Sequence, residues 1–374
     1  MKILFAGGGT GGHVLPIVAI VREIRKFSPK EKFEFFYIGP RDDFGELLLS
    51  HEDIEIKNVL AGKIRRYIDR ENVLKNIIDV LFKIPIGILQ SFFHIFIMSP
   101  DLILSKGGFG SIPTVIAGWI LRVPIFLHES DAMPGIANRF VAKFALQIFV
   151  SFEKTPYFLE DKMILTGNPI RRELLDGSKE EAKKIFDLTE KKPLILILGG
   201  SQGAQRINDR ILEILPRLLE EFELIHQCGE NNFEQIKAEA KVMMTKYLKK
   251  YYHLSPFLKE QEIKAAYAAC DIVVSRSGAG SIFEISALGK PSILIPLPES
   301  AQNHQFMNAY KYAENGAALI LEEENFTPNF FLTQLRNLFS DPGKLEKMKI
   351  YAKQFAKPKA AKTIAKYMLD YLTK

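Results

Sequence analysis

The apolar positions of this chain fall in short unbroken runs, and longer amphipathic stretches separate them. In the first half the runs lie near Ile3–Ala6, Phe33–Ile38, Ile54–Val59, Leu102–Leu104, Ile125–His128 and Ile148–Val150. In the second half they lie near Leu194–Leu198, Leu224–Gln227, Tyr252–Ser255, Ile272–Ser275, Ser292–Ile295 and Ala318–Leu321. A strand exposed on one face alternates polar with apolar residues, whereas a strand covered by helices on both faces is apolar throughout. The runs therefore predict parallel sheets. Their alternation with helical stretches predicts an α/β chain of two doubly wound, Rossmann-like domains. A length of 374 residues also favours two cores over one. The pattern breaks at Gly167-Asn-Pro169, which sets the boundary between Thr166 and Lys192, and a last helix over Ala360–Leu372 follows Pro358.

Two of the runs end in glycine loops that lead into helices. Ile3–Ala6 is followed by Gly7-Gly-Gly-Thr-Gly-Gly-His13, and Leu194–Leu198 by Gly199-Gly-Ser-Gln-Gly-Ala204. A strand that turns on glycines into a helix aims free N–H groups and the positive helix end at one point, which suits a phosphate. One such loop in each half predicts a phosphorylated ligand held between two nucleotide-type domains. Gly7, Gly9 and Gly12 satisfy G-x-G-x-x-G, but the second strand ends Ile38-Gly-Pro-Arg41, without the acidic residue a dinucleotide ribose needs. His13 opens the following helix, where the helix end favours the neutral imidazole that accepts a proton.

Further motifs stand at strand ends. Lys106-Gly-Gly-Phe-Gly110 is either another phosphate loop or glycine packing at a sheet edge. His128-Glu-Ser-Asp131 supplies carboxylates for polar recognition or proton transfer and lacks the H-E-x-x-H spacing of a zinc site. In Arg276-Ser-Gly-Ala-Gly-Ser-Ile-Phe-Glu284 the small residues leave room at a helix start. Glu284, read as projecting from the first turn, either takes two ribose hydroxyls or caps the helix. Gln302-Asn-His-Gln-Phe-Met-Asn308 is dense in amides and suits sugar recognition.

Composition narrows the partners. Lys plus Arg (50) over Asp plus Glu (44) leaves +6, which favours an anionic surface or substrate. Nucleic acid is not expected, since no RNA-binding signature, zinc-finger spacing or long basic arm is present. Cys228 and Cys270 read as buried free thiols, and with no signal peptide the default compartment is the cytoplasm. Lys63-Ile-Arg-Arg66, Lys75 and Lys83 stand beside the apolar run Ile84–Met98. That run is too short to span a bilayer, so it is either a helix buried on the sheet or a face that rests on anionic lipid.

Taken together these motifs, with Pro134-Gly-Ile-Ala-Asn138, Gly167-Asn-Pro-Ile-Arg171, Gln305 and Asn308, resemble the MurG family of bacterial peptidoglycan glycosyltransferases over nearly the whole chain. The resemblance implies a GT-B fold, two Rossmann-like domains facing a central cleft. Residues 1–166 would form an acceptor and membrane-facing domain, joined by the C-terminal helix 358–374, and residues 167–357 a UDP-N-acetylglucosamine-binding domain. It implies inverting transfer of N-acetylglucosamine from UDP-N-acetylglucosamine to the 4-hydroxyl of the muramoyl sugar in lipid I, the undecaprenyl-pyrophosphoryl pentapeptide acceptor, giving lipid II. No cofactor and no obligatory metal are implied. The expected location is the cytoplasmic face of the cell membrane, on an anionic inner leaflet, with other cell-wall synthesis proteins as partners.

Residue by residue, the resemblance puts Thr10, Gly11 and Gly12 at the donor–acceptor junction, beside His13. Arg171 and Ser201 would meet the UDP diphosphate, Leu258 the uracil, Ala279, Gly280 and Ser281 the phosphates and ribose, Glu284 the ribose and Gln305 the sugar hydroxyls. The lipid-linked pyrophosphate would lie over the N-terminal glycine loops, with Ile84–Met98 and Trp119 toward the membrane. The general base is His13 or Glu129. Two positions depart from the family pattern: Asp131 replaces a common asparagine, which puts an amide-specific donor contact in question, and His304 replaces a common glutamine. Other readings of the same motifs are a different UDP-sugar enzyme (a diacylglycerol glycosyltransferase or a 2-epimerase), a nicotinamide oxidoreductase, and a catalytically silent membrane scaffold.

Overall fold

The computed structural model describes residues 1–8, 11–62, 76–77, 79–153, 155–200 and 203–373, with the Phe44 side chain excepted. The chain divides into two units, Met1–Arg171 with Pro358–Lys374, and Arg172–Lys357. The first division thus falls after Arg171, past the Gly167-Asn-Pro169 break.

In the first unit seven strands, β1 (Lys2–Ala6), β2 (Glu34–Gly39), β3 (Ile54–Asn58), β4 (Leu102–Ser105), β5 (Ile125–Glu129), β6 (Gln147–Val150) and β7 (Met163–Leu165), form one sheet in the order β3-β2-β1-β4-β5-β6-β7. Every pairing is parallel. One face is covered by the helix Gly11–Phe27, through Val14, Ile17, Val18, Val21 and Ile24, and by the C-terminal helix Ala360–Leu372, through Ala361, Ile364, Ala365 and Met368. The C-terminal helix returns to this unit for a packing reason: its apolar stripe has a sheet face to cover. Tyr367 also donates to Gln147 Oε1 at 2.8 Å. The opposite face packs on Ile95, Met98, Ile112, Val115 and Val141.

The second unit repeats the plan. β8 (Leu194–Leu198), β9 (Glu223–Gln227), β10 (Tyr252–Ser255), β11 (Ile272–Ser275), β12 (Ser292–Leu294) and β13 (Ala318–Ile320) pair in the order β10-β9-β8-β11-β12-β13, again all parallel. Apart from β7, each strand in both units lies on an expected run. β7 is three residues at a sheet edge, with Leu165 exposed, and so leaves no run to read.

The apolar segment is longer than its sequence run. A π-helical turn, Asp79–Lys83, continues into the helix Ile84–Met98, and the 20 residues are long and apolar enough to cross a membrane by length and composition. The sequence run alone is too short to span, but with the preceding turn the segment is not. Its two ends lead from β3 and into β4 of one sheet, and its inner side is packed. A Cβ on Gly87 would stand 1.9 Å from the Leu60 carbonyl, so only glycine allows that approach. Ile95 and Met98 join the core, while Leu81, Phe82, Leu89, Phe93, Phe96 and Ile97 are exposed, Ile97 to 79%. Trp119 and Ile120 are exposed as well. Within the segment only Asp79, Gly87, Ser91, Ile95 and Met98 are buried, so more of it is bare apolar face than buried helix. Lys83 is paired with Asp79 at 2.7 Å, and Lys63–Arg66 and Lys75 lie outside the described residues.

Candidate active site

In an open parallel sheet the loops at the carboxyl ends of the strands separate where the strand order reverses, and ligands bind there. In the first unit the reversal lies between β1 and β4, and both strands end in glycine loops. The loops touch backbone to backbone. The Lys106 N–H donates to the Ala6 carbonyl at 2.7 Å, and a Cβ on Gly110 would stand 2.6 Å from the Gly7 carbonyl. Gly110 is thus a close-packing glycine of the loop pair, and Gly107 and Gly108 adopt φ +80° and +75°. Buried Tyr37, on β2, donates toward the Gly7 and Gly8 carbonyls at 3.1 and 3.3 Å and fixes the first loop from below. Thr10 lies outside the described residues; Gly11 is buried and Gly12 exposed at the start of the helix Gly11–Phe27. The half-buried His13 imidazole stands between the loops, 3.4 Å from a Cβ position on Gly8 and with Nε2 3.2 Å from one on Gly108.

Beneath these loops is a buried polar network that ends β4 and β5. Glu129 Oε2 accepts from Asn138 Nδ2 at 2.7 Å, and Asn138 Oδ1 accepts from the Gly108 N–H at 3.0 Å. Glu129 Oε1 accepts from the Asp131 N–H at 2.9 Å. Glu129 therefore reaches the loop beside His13 through Asn138, as a support. Burial, and then the neighbouring Asp131 charge, raise its carboxyl to about 7. His128 Nε2 faces the Gly167 carbonyl at 3.2 Å, and a carbonyl only accepts, so Nε2 carries the proton and Nδ1 is left as an acceptor. Lys106 Nζ donates to His128 Nδ1 at 2.5 Å and to Ser130 Oγ at 2.8 Å. Burial lowers Lys106 to about 7 even with Glu129 and Asp131 near, and burial with Lys106 pushes His128 well below the imidazole range. Lys106 and Asn138 sit inside motifs visible in the sequence, but only the contacts assign them a place. Arg171, at the end of this unit, is buried.

In the second unit the order reverses between β8 and β11. The loop after β8 turns at Gly200 and Gly203, φ +78° and +80°; Ser201 lies outside the described residues. Gln227, at the end of β9, ties this loop to the next: Nε2 donates to the Gly200 carbonyl and Oε1 accepts from the Leu258 N–H, both at 3.1 Å. The Leu258 side chain is buried in the core, so that position offers a ligand backbone and little side chain.

After β11 the helix Ala279–Ala287 begins. The Ile282 N–H is the first to find an intrahelical carbonyl, that of Gly278, so the N–H groups of Ala279, Gly280 and Ser281 have none within the helix. Nothing lies within 4 Å of a Cβ position on Gly278 or Gly280, which leaves the helix end open. Glu284 is not in the first turn, as the sequence suggested, but further along the helix, which removes the capping account. Tyr267 donates to its Oε2 at 3.2 Å and orients it.

The amide-rich segment after β12 is stitched to the same loop. Ser277 Oγ donates to the Gln305 carbonyl at 2.8 Å, and Asn308 Nδ2 to the Ser277 carbonyl at 3.2 Å. Gln305 Oε1 accepts from the Leu297 N–H at 3.0 Å, so the Nε2 hydrogens are what Gln305 offers a ligand. Gln302 and Asn303 hold left-handed backbone at φ 56° and 55°, a conformation costly for non-glycine residues. His304 Nδ1 donates to the Ala301 carbonyl at 2.7 Å, and Arg276 is turned to Glu323 at 2.5 Å.

Residues 3–150 match the glycosyltransferase family 28 N-terminal domain and residues 194–364 the glycosyltransferase family 28 C-terminal domain. A relative from Bacillus thuringiensis (strain Al Hakam), named UDP-N-acetylglucosamine–N-acetylmuramyl-(pentapeptide) pyrophosphoryl-undecaprenol N-acetylglucosamine transferase 3, is 38% identical over 90% of this chain and 91% of its own. A Bacillus cereus (strain ATCC 10987 / NRS 248) transferase of the same name, numbered 2, is 36% identical over 99% of both chains. Among solved structures, Acinetobacter baumannii MurG aligns over 99% of both chains with a TM-score of 0.71 at 24% identity. The UDP-GlcNAc 2-epimerase from Neisseria meningitidis bound to UDP-GlcNAc aligns over 99% of this chain and 100% of its own, with a TM-score of 0.66 at 16% identity. These two structures share the fold.

Asn138→Ala removes the acceptor of the Gly108 N–H and a donor to Glu129, and we expect a loss of about 1–3 kcal/mol in urea unfolding. The raised Glu129 carboxyl stabilises the fold fully below its unfolded value, and that contribution is lost as pH rises to about 7. Because the Asn138 amide favours the carboxylate, the variant's deficit should widen toward and above pH 7. A deficit independent of pH counts against the link.

Proposed function

The chain belongs to glycosyltransferase family 28, and on that premise we propose that it moves N-acetylglucosamine from UDP-N-acetylglucosamine onto the muramoyl 4-hydroxyl of undecaprenyl-pyrophosphoryl-N-acetylmuramoyl-pentapeptide, giving lipid II. The chain is a UDP-sugar hexosyltransferase of peptidoglycan synthesis. The observation that carries the reading is the likeness, at 36% identity over 99% of both chains, to a transferase named for this donor and acceptor. The rival assignment to an epimerase has only a shared fold at 16% identity behind it.

The chemistry is a single displacement. The acceptor hydroxyl attacks the anomeric carbon, its proton passes to His13, and UDP leaves as the β-1,4 bond forms. His13 is preferred over Glu129 as the base because both Glu129 oxygens already accept hydrogen bonds below the loop. The leaving diphosphate gains charge, and the N–H groups of Ala279, Gly280 and Ser281 at a helix N-terminus meet that need, with Arg171 and Ser201. Glu284 takes ribose hydroxyls, the Gln305 amide takes sugar hydroxyls, and the backbone at Leu258 lies against uracil. Thr10, Gly11 and Gly12 serve the donor–acceptor junction, with Asp131 as a polar contact. The bare side of Asp79–Met98, with Trp119, rests on an anionic inner leaflet, where a lipid-linked acceptor is found.

Labelled UDP-N-acetylglucosamine incubated with a lipid I analogue should give labelled disaccharide; a folded chain without transfer refutes the function. His13→Ala should lower kcat about 10²–10⁴-fold with donor KM little changed, and equal damage to both removes His13 as the base. Glu284→Ala should weaken UDP binding in calorimetry by about 1–3 kcal/mol; unchanged binding removes the ribose contact. Phe93→Asp with Ile97→Asp should abolish flotation with anionic vesicles while transfer to a water-soluble acceptor continues. Undiminished flotation places the membrane face elsewhere.

A further inference from the structure

β13 is an edge strand of the second sheet, beyond β12 and away from the reversal between β8 and β11. The turn that follows it, Glu323–Asn325, nonetheless reaches the chain on both sides of that reversal. Glu323 Oε2 pairs with Arg276 at 2.5 Å, and Oε1 pairs with Arg206. Arg206 is the second residue of the helix Gln205–Glu213, into which the glycine loop after β8 leads. Arg276 follows β11 directly and stands just ahead of the open helix start at Ala279. With one arginine on each oxygen, Glu323 is a bridge between the two loops.

The two arms of the bridge differ in burial. The Arg276 and Glu323 side chains are 13% and 9% exposed, and a charge so placed is costly to keep once its partner is gone. Arg276 Nη1 also donates to the Ile295 and Pro296 carbonyls at 3.3 and 3.4 Å, so the guanidinium is fixed at the end of β12 as well. Arg206 has a second carboxylate, Glu299 at 2.7 Å, but both members of that pair are half-exposed, and such pairs contribute little. Glu323 thus has a buried arm to the β11 loop and an open arm to the helix after β8.

We propose that Glu323 is a positioning residue for donor binding. By taking Arg276 and Arg206 on its two oxygens, it holds the helix start at Ala279 and the helix start at Gln205 in one fixed relation across the strand reversal. A diphosphate that meets donors from both loops needs that relation, because hydrogen bonds weaken steeply once donor and acceptor are misaligned. Glu323 itself touches no substrate and acts through the segments it ties. The proposal rests on the donor reading above, in which both loops meet the diphosphate.

The test is calorimetric binding of UDP to the full-length chain, with urea unfolding and transfer kinetics on the same variants. Glu323→Gln keeps the shape and removes the charge. It should weaken UDP roughly tenfold and raise donor KM alike, with kcat and acceptor KM little changed. Arg206→Gln, at a half-exposed position, leaves the buried arm in place and should weaken UDP about threefold. In the Glu323→Gln background it should add nothing, because Arg206 acts through the carboxylate already removed. Glu299→Gln should leave the affinity little changed. A lowered unfolding midpoint with unchanged UDP affinity in Glu323→Gln is a purely structural effect and overturns the proposal. So do unchanged affinity in Arg206→Gln, additive losses in the double variant, a Glu299→Gln loss as large as that of Glu323→Gln, or a fall in kcat with donor KM unmoved. A parent chain that binds no UDP refutes the donor reading and the bridge with it; a parent that binds UDP, with Glu323→Gln binding equally well, refutes the bridge alone.

Discussion

Each sheet reverses its strand order beside its first strand, between β1 and β4 and again between β8 and β11. With every strand parallel, the loops there run to opposite faces, and the space between them is bounded by backbone and helix ends. That geometry sets what residues are tolerated. In the first unit the loops come so close that Gly110 stands on the Gly7 carbonyl and His13 fits between Gly8 and Gly108. The site is therefore made by the chain crossing of the sheet before any side chain contributes. Side chains then fix its parts: Tyr37 under the first loop, Asn138 under the other, and Gln227 between two loops of the second unit.

Much of this was legible because burial on both faces writes parallel strands as unbroken apolar runs. Ile3–Ala6 and Leu194–Leu198 read as strands for that reason, and the glycines after them read as turns. β7 was not legible: three residues at an edge, ending in exposed Leu165, carry no pattern. The site was legible as segments and not as contacts. His128-Glu-Ser-Asp131 stood out as chemistry, but nothing in its spacing tells that Glu129 faces Asn138 while Lys106 faces His128, since those pairings depend on which strands neighbour each other. Helix position was misread in one place, where Glu284 lies beyond the first turn and takes its orientation from Tyr267 on another helix.

Burial also explains why the polar groups of the first unit are arranged as a support. A buried carboxyl raised to about 7 and a buried amine lowered to about 7 each lie far from their values in water. Perturbation of this kind often marks a group that exchanges protons. Here the geometry points the other way for Glu129, because both oxygens are engaged with Asn138 and the Asp131 backbone. The group left half-exposed at the loop is His13. On the proposed mechanism, perturbed acidity and proton transfer separate between two residues of one unit.

The frame itself does not choose a reaction. The same fold, at TM-scores of 0.71 and 0.66, is found in Acinetobacter baumannii MurG and in an epimerase bound to UDP-GlcNAc. In this chain the second unit has glycine turns, an open helix start and an oriented Glu284 and Gln305, which on the proposed function receive the nucleotide sugar. A reaction that needs no second substrate has no use for an exposed apolar face. A transferase whose acceptor carries a polyprenyl chain does, because the acceptor's tail cannot leave the bilayer. The helix Ile84–Met98 has such a face on the first unit; its Gly87 packs on the Leu60 carbonyl and its Ile95 joins the core of the unit that also carries His13. On the proposed function, acceptor chemistry and acceptor location reside in one unit, and this, more than any feature of the nucleotide-type sheet, separates the transferase reading from the epimerase.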